Sequence, residues 1–274
     1  MTRNATSSDT SCGVVFVATG ADYVDLARDA AQSVRTTNPA LPIDLFTDLP
    51  DAAAATGRLF DQIHAVPHSH RRAKLWCMPA SRFARTLFLD CDTRVLRSIV
   101  DLFALLERFD LAMAHDVRRA SPLIQEGWRE QTPYAFPQLN SGVVLYRQCP
   151  AVQAFFCDWQ AMYAEAGVAR DQVSLKDLLW RSDLRFYVLP PEYNLRRVTV
   201  LDAWEPLDAR PSIIHSHVFL RHLRDPQARK VTEVAEVLAL ERAALHQEWR
   251  AWLAAHDGQR PALGPSWLTP DDDV

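Results

Sequence analysis

The sequence contains no apolar run approaching the roughly 18 residues that span a bilayer. Its opening stretch, MTRNATSSDTSC, is polar where a signal peptide would carry an apolar core. The expectation is a cytoplasmic protein whose residues 1–12 are disordered. Five cysteines form no CxxC pair, so neither a zinc ribbon nor a disulfide framework is indicated. Cys12, Cys77, Cys91, Cys149 and Cys157 read as small apolar residues of a reducing compartment. No block of Lys or Arg exceeds a few residues and the formal charge is only -4, which leaves no electrostatic footprint for nucleic acid or an anionic membrane. Partners should therefore be small or neutral. Internal repeats, low-complexity linkers and Gly/Ser hinges are also missing, so residues 13–257 read as one domain rather than as independently folding pieces.

What is present is an alternation of short β-rich runs with helical patterns. GVVFVAT, IDLFTD, FDQIHAVP and RTLFLD read as strands, with DYVDLARDAAQSV and RRAKLWCMPASRF as the helices among them. That order implies an α/β fold with a mostly parallel central sheet and right-handed crossovers. Beyond Asp92 the rhythm changes. SIVDLFALLERF reads as a short helix, DLAMAHD as a strand, and SPLIQEGWREQTPYAFPQ as a long irregular loop of the kind that is more often functional than idle. LNSGVVLYR resumes a strand, AVQAFFCDWQAMYAEA and DQVSLKDLLWRS read as helices, and LRFYVLPPEYN and PSIIHSHVFL as strands leading into loops. This second half is α+β. An amphipathic segment over 226–257 reads as a C-terminal helix or helix pair, followed by a flexible tail over 258–274.

The chemistry concentrates in RTLFLDCDTRV. Asp90 and Asp92 stand two residues apart at the end of an apolar strand, where ligands of parallel sheets bind. Residues at that spacing project on the same side, so the two carboxylates could share a hard divalent cation such as Mg²⁺ or Mn²⁺. They could equally cap the following turn or pair with Arg85, Arg94 or Arg97. An aspartate-dependent phosphatase would carry D-x-D-x-T/V on its first strand; here Arg94 follows and three strands precede. A calcium loop needs more acidic residues and a glycine, which TRVLRS does not supply. His68 and His70 have no ligand cluster near them in sequence and read as loop residues.

AKLWCMPASRFARTLFLDCDTRVLRSIVDLF resembles the central signature of the retaining glycosyltransferases of family 8. The blocks LNSGVVLYR, DQVSLKDLL, and LPPEYN with IIHSHV follow in that family's order, and FVATGADYVDLARDAAQSV resembles its first strand and nucleotide-binding turn. The resemblance runs from about Gly13 to Arg224. It implies a GT-A fold, with a nucleotide-binding half over about 13–116 and a sugar and acceptor half over about 117–225. It further implies a nucleoside diphosphate sugar as donor, a UDP-sugar by family analogy, and Mn²⁺ or Mg²⁺ as cofactor.

By position, the resemblance makes Asp90, Asp92 and His215 the metal ligands, with His217 as the alternative imidazole. Lys74 would lie near the diphosphate or a sugar hydroxyl, Asn140, Ser141, Asp171 and Gln172 would contact the sugar, and Ala18, Thr19 and Tyr23 the base or ribose. Cys91 falls between the two aspartates, turned inward beside the donor. Arg221 stands where the family usually has a lysine that clamps the leaving phosphate, but Val218 replaces the usual glycine before it and Lys176 replaces a frequent asparagine. Those departures keep open a catalytically impaired, binding or scaffold relative. Trp128, Tyr134 and Trp204 could stack on an acceptor sugar or simply pack. The resemblance also implies retention of anomeric configuration, either by front-face attack or by double displacement with Asp171 as nucleophile.

Overall fold

The computed structural model describes residues 11–259 except 56, 68 and 69. The start and tail read as disordered and flexible fall almost wholly on residues 1–10 and 260–274, outside the described residues, and so does His68. Cys12, read as part of that start, instead opens the first strand.

Strands β1 (Cys12–Ala18) and β2 (Ile43–Thr47) are joined by helix α1 (Ala21–Thr37); the short helix α2 (Pro50–Ala54) leads to β3 (Gln62–Ala65). One turn of helix, α3 (Lys74–Cys77), precedes β4 (Arg85–Leu89) and the three-residue β5 (Thr93–Val95). The helix expected across RRAKLWCMPASRF is cut to that turn: Met78 keeps helical backbone, but Pro79 after it has no N–H to continue the ladder. The expected helix after Asp92 is a 3₁₀ segment, Val100–Glu107. Then come β6 (Leu111–His115), α4 (Pro122–Gln125), β7 (Leu139–Arg147), α5 (Pro150–Ala166), α6 (Asp171–Arg181), β8 (Phe186–Leu189) and β9 (Ile213–His215). The strand expected over PSIIHSHVFL stops at His215, and His217–Leu220 turn as 3₁₀ instead. Helices α7 (Arg221–Arg224) and α8 (Val234–Ala255) complete the order.

The main sheet runs β3-β2-β1-β4-β7-β6-β8. The first four are parallel, β7 is antiparallel to both β4 and β6, and β8 is parallel to β6, so the sheet is mostly parallel as its alternating sequence implies. All but the last residue of LNSGVVLYR are buried, which explains why it reads as a continuous apolar strand. Helix α5 starts on Pro150 at its first position and stops at Gly167, whose φ of 60° is the left-handed conformation that closes helices cheaply only in glycine. Its buried Phe155, Phe156 and Trp159 pack with Tyr146, Met78 and Leu175 into the core beneath β7. Fully burying a side chain of this size stabilises the fold by roughly 1.5–3 kcal/mol. All five cysteines are free.

The chain forms two compact units. The first comprises the residues up to Arg196 together with Glu205–Ser216; the second comprises Arg197–Trp204 and the residues from His217 onward. Within the second unit the Val198 N–H donates to Glu241 Oε2 at 2.6 Å, and Arg242 pairs with Asp202, tying α8 to the 3₁₀ segment Val198–Ala203. Trp249 meets Trp252 edge to face on α8, and Trp252 stacks on His256 just past the helix with centroids 3.9 Å apart. Among the described residues no helix is long and apolar enough to cross a membrane.

Candidate active site

The parallel pair β1 and β4 ends where the sheet changes direction, and the functional side chains gather there. Asp90 follows β4 directly, its backbone N–H donating to the Gly142 carbonyl of β7 at 2.8 Å. Two residues on, the short antiparallel pairing of β5 with β9 sets Thr93 opposite His215. This pairing carries an imidazole more than a hundred residues distant in sequence to the aspartates. His215 Nε2 lies 3.1 Å from Asp92 Oδ1 and 3.9 Å from Asp90 Oδ2. One ligand atom from each of the three lies within 4.8 Å of the others. Asp92 and His215 are buried and Asp90 is half-buried.

Two carboxylates held this close out of water repel each other unless a cation sits among them, and two carboxylates with one imidazole suit Mn²⁺ or Mg²⁺. The backbone leaves room for that cluster. A Cβ on Gly142 would lie 2.1 Å from His215 Cε1 and 2.8 Å from Asp90 Oδ2. We therefore expect Gly142→Ala to push His215 off the aspartates and to weaken binding of a divalent cation there, read as a smaller rise in melting temperature on adding Mn²⁺ than the wild type gives. Circular dichroism of the variant should remain that of a folded α/β protein, and an undiminished Mn²⁺ shift would show that the close approach is not needed.

Beside this trio lies a second charged group. Lys74 Nζ, almost fully buried, donates to the Ser141 carbonyl at 2.9 Å and to Ser141 Oγ at 3.0 Å, and lies 3.4 Å from Asp90 Oδ1 and 3.5 Å from Asp171 Oδ2. Ser141 Oγ in turn donates to Asp171 Oδ2 at 2.8 Å, and Arg72 Nε stands 3.6 Å from Asp171 Oδ1. Burial alone would raise the Asp171 carboxyl, but Lys74, Arg72 and the Ser141 hydroxyl outweigh it and hold the group below the usual carboxylate range. Burial likewise pushes the Lys74 ammonium down, and Asp171 and Asp90 more than reverse it. Both groups are charged at neutral pH.

A third cluster, on the β6–β7 side, contains a residue that sequence reasoning missed. Asp116, buried just past β6, accepts from Asn140 Nδ2 at 3.1 Å, Gln172 Nε2 at 2.6 Å and the Val117 N–H at 2.7 Å. Burial would raise its carboxyl, but the Gln172 and Asn140 hydrogen bonds and the nearby Arg196 charge hold it below the ordinary range. The signal was there: LAMAHD ends an apolar strand in an aspartate, as RTLFLD does. Asn140 also accepts from the Gly142 N–H at 3.0 Å and from Asn194 Nδ2 at 3.0 Å. Asn194 closes the LPPEYN block, to which the sequence reading gave no role at the site.

The other expected residues divide. Cys91 Sγ donates to the Val17 carbonyl at 3.3 Å, tying the residue between the two aspartates to β1, which ends at Ala18 with Thr19 next in the chain. Burial, together with Asp90 and Asp92, pushes its thiol well up, so it is a neutral packing group. Tyr23 is exposed in the first turn of α1, after Gly20, whose φ of 81° and N–H bond to Asp48 Oδ1 shape the turn. Arg221, Trp204 and His217 belong to the second unit, where Arg221 opens α7 with an exposed side chain.

Lys176 faces the loop after β6, donating to the Gln125 carbonyl. Its neighbour Asp177 accepts the backbone N–H groups of Trp128 and Glu130 at 3.1 and 2.9 Å, and that of Arg129 as well. The long loop is thus pinned to α6. Arg129 covers the Trp128 ring at 3.7 Å, whereas Tyr134 is exposed. His70 packs against Trp76 with centroids 4.8 Å apart, as a loop residue.

The sequence matches the profile of the nucleotide-diphospho-sugar transferases over residues 30–220. No curated protein matches it significantly. The fold resembles the glycosyltransferase GlyE of Streptococcus pneumoniae TIGR4, at 20% identity and TM-score 0.57, covering 92% of this chain and 66% of GlyE. This chain therefore spans just under two thirds of the GlyE chain. It also resembles the galactosyltransferase LgtC, solved with donor and acceptor sugar analogues, at 17% identity and TM-score 0.57, covering 87% of this chain and 99% of LgtC. Against the bifunctional glycosyltransferase WbbM the identity is 14% and the TM-score 0.51, covering 76% of this chain and 46% of WbbM. Over this shared architecture the mostly parallel sheet is that of a GT-A fold.

Proposed function

The chain belongs to the nucleotide-diphospho-sugar transferase family, and from that premise we propose that it moves a hexose or pentose from a UDP-sugar to an acceptor hydroxyl, with a divalent cation and with retention of configuration. The observation that carries this reading is the convergence of Asp90, Asp92 and His215 within 4.8 Å, beside the buried Lys74 and Asp171 pair.

In this reading Asp90, Asp92 and His215 hold Mn²⁺ or Mg²⁺, which when bound supplies positive charge where the leaving diphosphate gathers negative charge. Lys74 adds a fixed cation in the same low-dielectric site, already oriented by Ser141 before the donor arrives. Ala18, Thr19 and Tyr23 contact the base and ribose. Asn140 and Gln172 engage the sugar hydroxyls.

Asp171 is 1% exposed and both its oxygens are engaged, by Ser141 and Lys74 on one and by Arg72 on the other. A carboxylate so committed orients its neighbours rather than attacking the anomeric carbon. We therefore favour front-face attack. The acceptor oxygen forms the new bond to the anomeric carbon as the bond to the diphosphate oxygen breaks, and the acceptor proton passes to that oxygen. No strong general acid is required, because the leaving group is already acidic. Lys176 does not count against activity, since its ammonium is committed to the Gln125 carbonyl of the loop.

A panel of nucleoside diphosphate sugars with and without Mn²⁺ tests the reading by thermal shift and by product analysis. Ligand at a hundred times its dissociation constant adds about 2.7 kcal/mol to native-state stability, so UDP-sugars should raise the melting temperature clearly, and only with the cation. Slow release of free sugar should accompany the shift. An inverted product anomer by NMR would overturn retention, and no response to any member of the panel would overturn the donor class.

A further inference from the structure

His215 has two ring nitrogens, and only an unprotonated Nε2 can ligate a cation through its lone pair. Which nitrogen carries the proton is decided at some distance, by a chain of amides with two ends that cannot be reversed. At one end stands the Asp116 carboxylate, an obligatory acceptor once ionised, 3.1 Å from Asn140 Nδ2. The Asn140 amide must turn its NH₂ towards that carboxylate, and its carbonyl therefore faces the other way. There it meets the backbone N–H of Gly142 at 3.0 Å, an obligatory donor, which demands the same orientation. Both fixed ends agree.

The Asn140 carbonyl leaves Asn194 only one choice. Its NH₂ must point at Asn140 Oδ1, 3.0 Å away, so its own Oδ1 turns to His215 Nδ1 at 2.9 Å. An amide oxygen cannot donate, so Nδ1 carries a hydrogen, and Nε2 is the nitrogen turned towards Asp90 and Asp92. The backbone holds Asn194 in place for this: the Leu195 N–H donates to the Ile213 carbonyl at 2.9 Å and the His215 N–H to the Leu195 carbonyl at 3.0 Å. All three amide and imidazole partners are buried, so water does not compete for these bonds.

We propose that Asn194 is a positioning residue that fixes the tautomer and ring orientation of His215, with Asp116 and Gly142 setting the direction of the relay through Asn140. The role goes beyond the assignment of the cation ligands but rests on that assignment for its use. It also joins the two halves of the site, because the amide that reads the sugar side, Asn140, is the one that orients the imidazole.

The test separates the two ideas by measuring the tautomer without any metal. In ¹⁵N-histidine-labelled wild-type protein, two-bond ¹H–¹⁵N spectra should show the His215 hydrogen on Nδ1, with His215→Ala identifying the signals. Asn194→Leu should lose that tautomer and weaken Mn²⁺ binding, measured by calorimetry in the presence of UDP, by about 10–100-fold, as loss of an outer-shell partner typically does. Asn194→Asp retains an acceptor for Nδ1 and should keep both the tautomer and most of the Mn²⁺ affinity, even if its extra buried charge lowers the melting temperature. A wild-type Nδ1 without hydrogen, or wild-type Mn²⁺ affinity in Asn194→Leu, would overturn the proposal. A wild type with the expected tautomer but no Mn²⁺ affinity would instead overturn the cation-site reading.

Discussion

Asp92→Ala is expected to lower Mn²⁺-dependent hydrolysis of the donor nucleotide sugar by about 10²–10³-fold, because a bound cation contributes several kcal/mol of charge stabilisation and each 1.36 kcal/mol is tenfold in rate. Asp92 is the better of the two aspartates to test. It is 5% exposed and only 3.1 Å from His215 Nε2, whereas Asp90 is half-buried and shares its charge with Lys74. Removing it leaves one carboxylate and one imidazole, too few protein ligands to hold a hard cation firmly. The fold should survive, since the change removes one of two mutually repelling carboxylates. The metal-free melting temperature should accordingly move little, while the increment produced by Mn²⁺ with UDP disappears. Equal hydrolysis rates for wild type and variant would dispose of the enzyme reading and favour a binding or scaffold role.

That experiment targets the part of the site most legible in sequence. A D-x-D at the end of an apolar strand carries its own context, since burial writes the strand and the strand's end places the acids. Strand β7 was legible to the residue because nearly all of it is buried, and α1, α5 and α6 because each has length enough for a helical period. Short elements were not. The helical period of RRAKLWCMPASRF is real, but Pro79 overrides it, and β9 is three residues long because its ladder partner β5 is no longer and its other side meets only an isolated bridge to Leu195.

Asp116 and Asn194 stayed hidden for another reason. Asp116 belongs to no motif and Asn194 only closes the LPPEYN block, and each gains its role from topology: β6 lies beside β7, which brings Asp116 to Asn140, and the backbone pairing of Leu195 with β9 brings Asn194 to His215. Polar relays assembled across strands leave no local spacing to read. Lys176 shows the converse. As a position in a motif it suggested a changed sugar site, but its ammonium is spent on the carbonyl of Gln125, and burial lowers its pKa as expected for a lysine withdrawn from water.

Lys74→Met should produce the largest loss of stability of any single change in the site. Lys74 and Asp171 are 7% and 1% exposed, and removing one partner of a buried ion pair costs about 3–5 kcal/mol because the other charge is left uncompensated. Arg72 at 3.6 Å and the Ser141 hydroxyl remain with Asp171, so the lower end applies. About 3 kcal/mol corresponds to a fall of roughly 10 °C in melting temperature for a chain of this size.

The pH dependence identifies the cause. In the wild type the Asp171 carboxyl is held below its ordinary value of about 3.9. Its stabilising contribution is therefore present above that value and is lost as pH falls through the lower folded value. The Lys74 ammonium is raised, so its contribution is present below about 10.4 and is lost only as pH rises beyond that. Between those limits the pair's contribution is flat. In Lys74→Met the balance at Asp171 shifts towards burial, which drives the carboxyl upward, so mild acid protonates it and relieves the buried charge. The deficit of the variant against wild type, measured by denaturant titration, should accordingly be smaller at pH 4.5 than at pH 7.5. A deficit independent of pH would mean that Lys74 stabilises the fold by packing over Phe88, 5.4 Å from its Nζ, and not by holding Asp171 in its charged form.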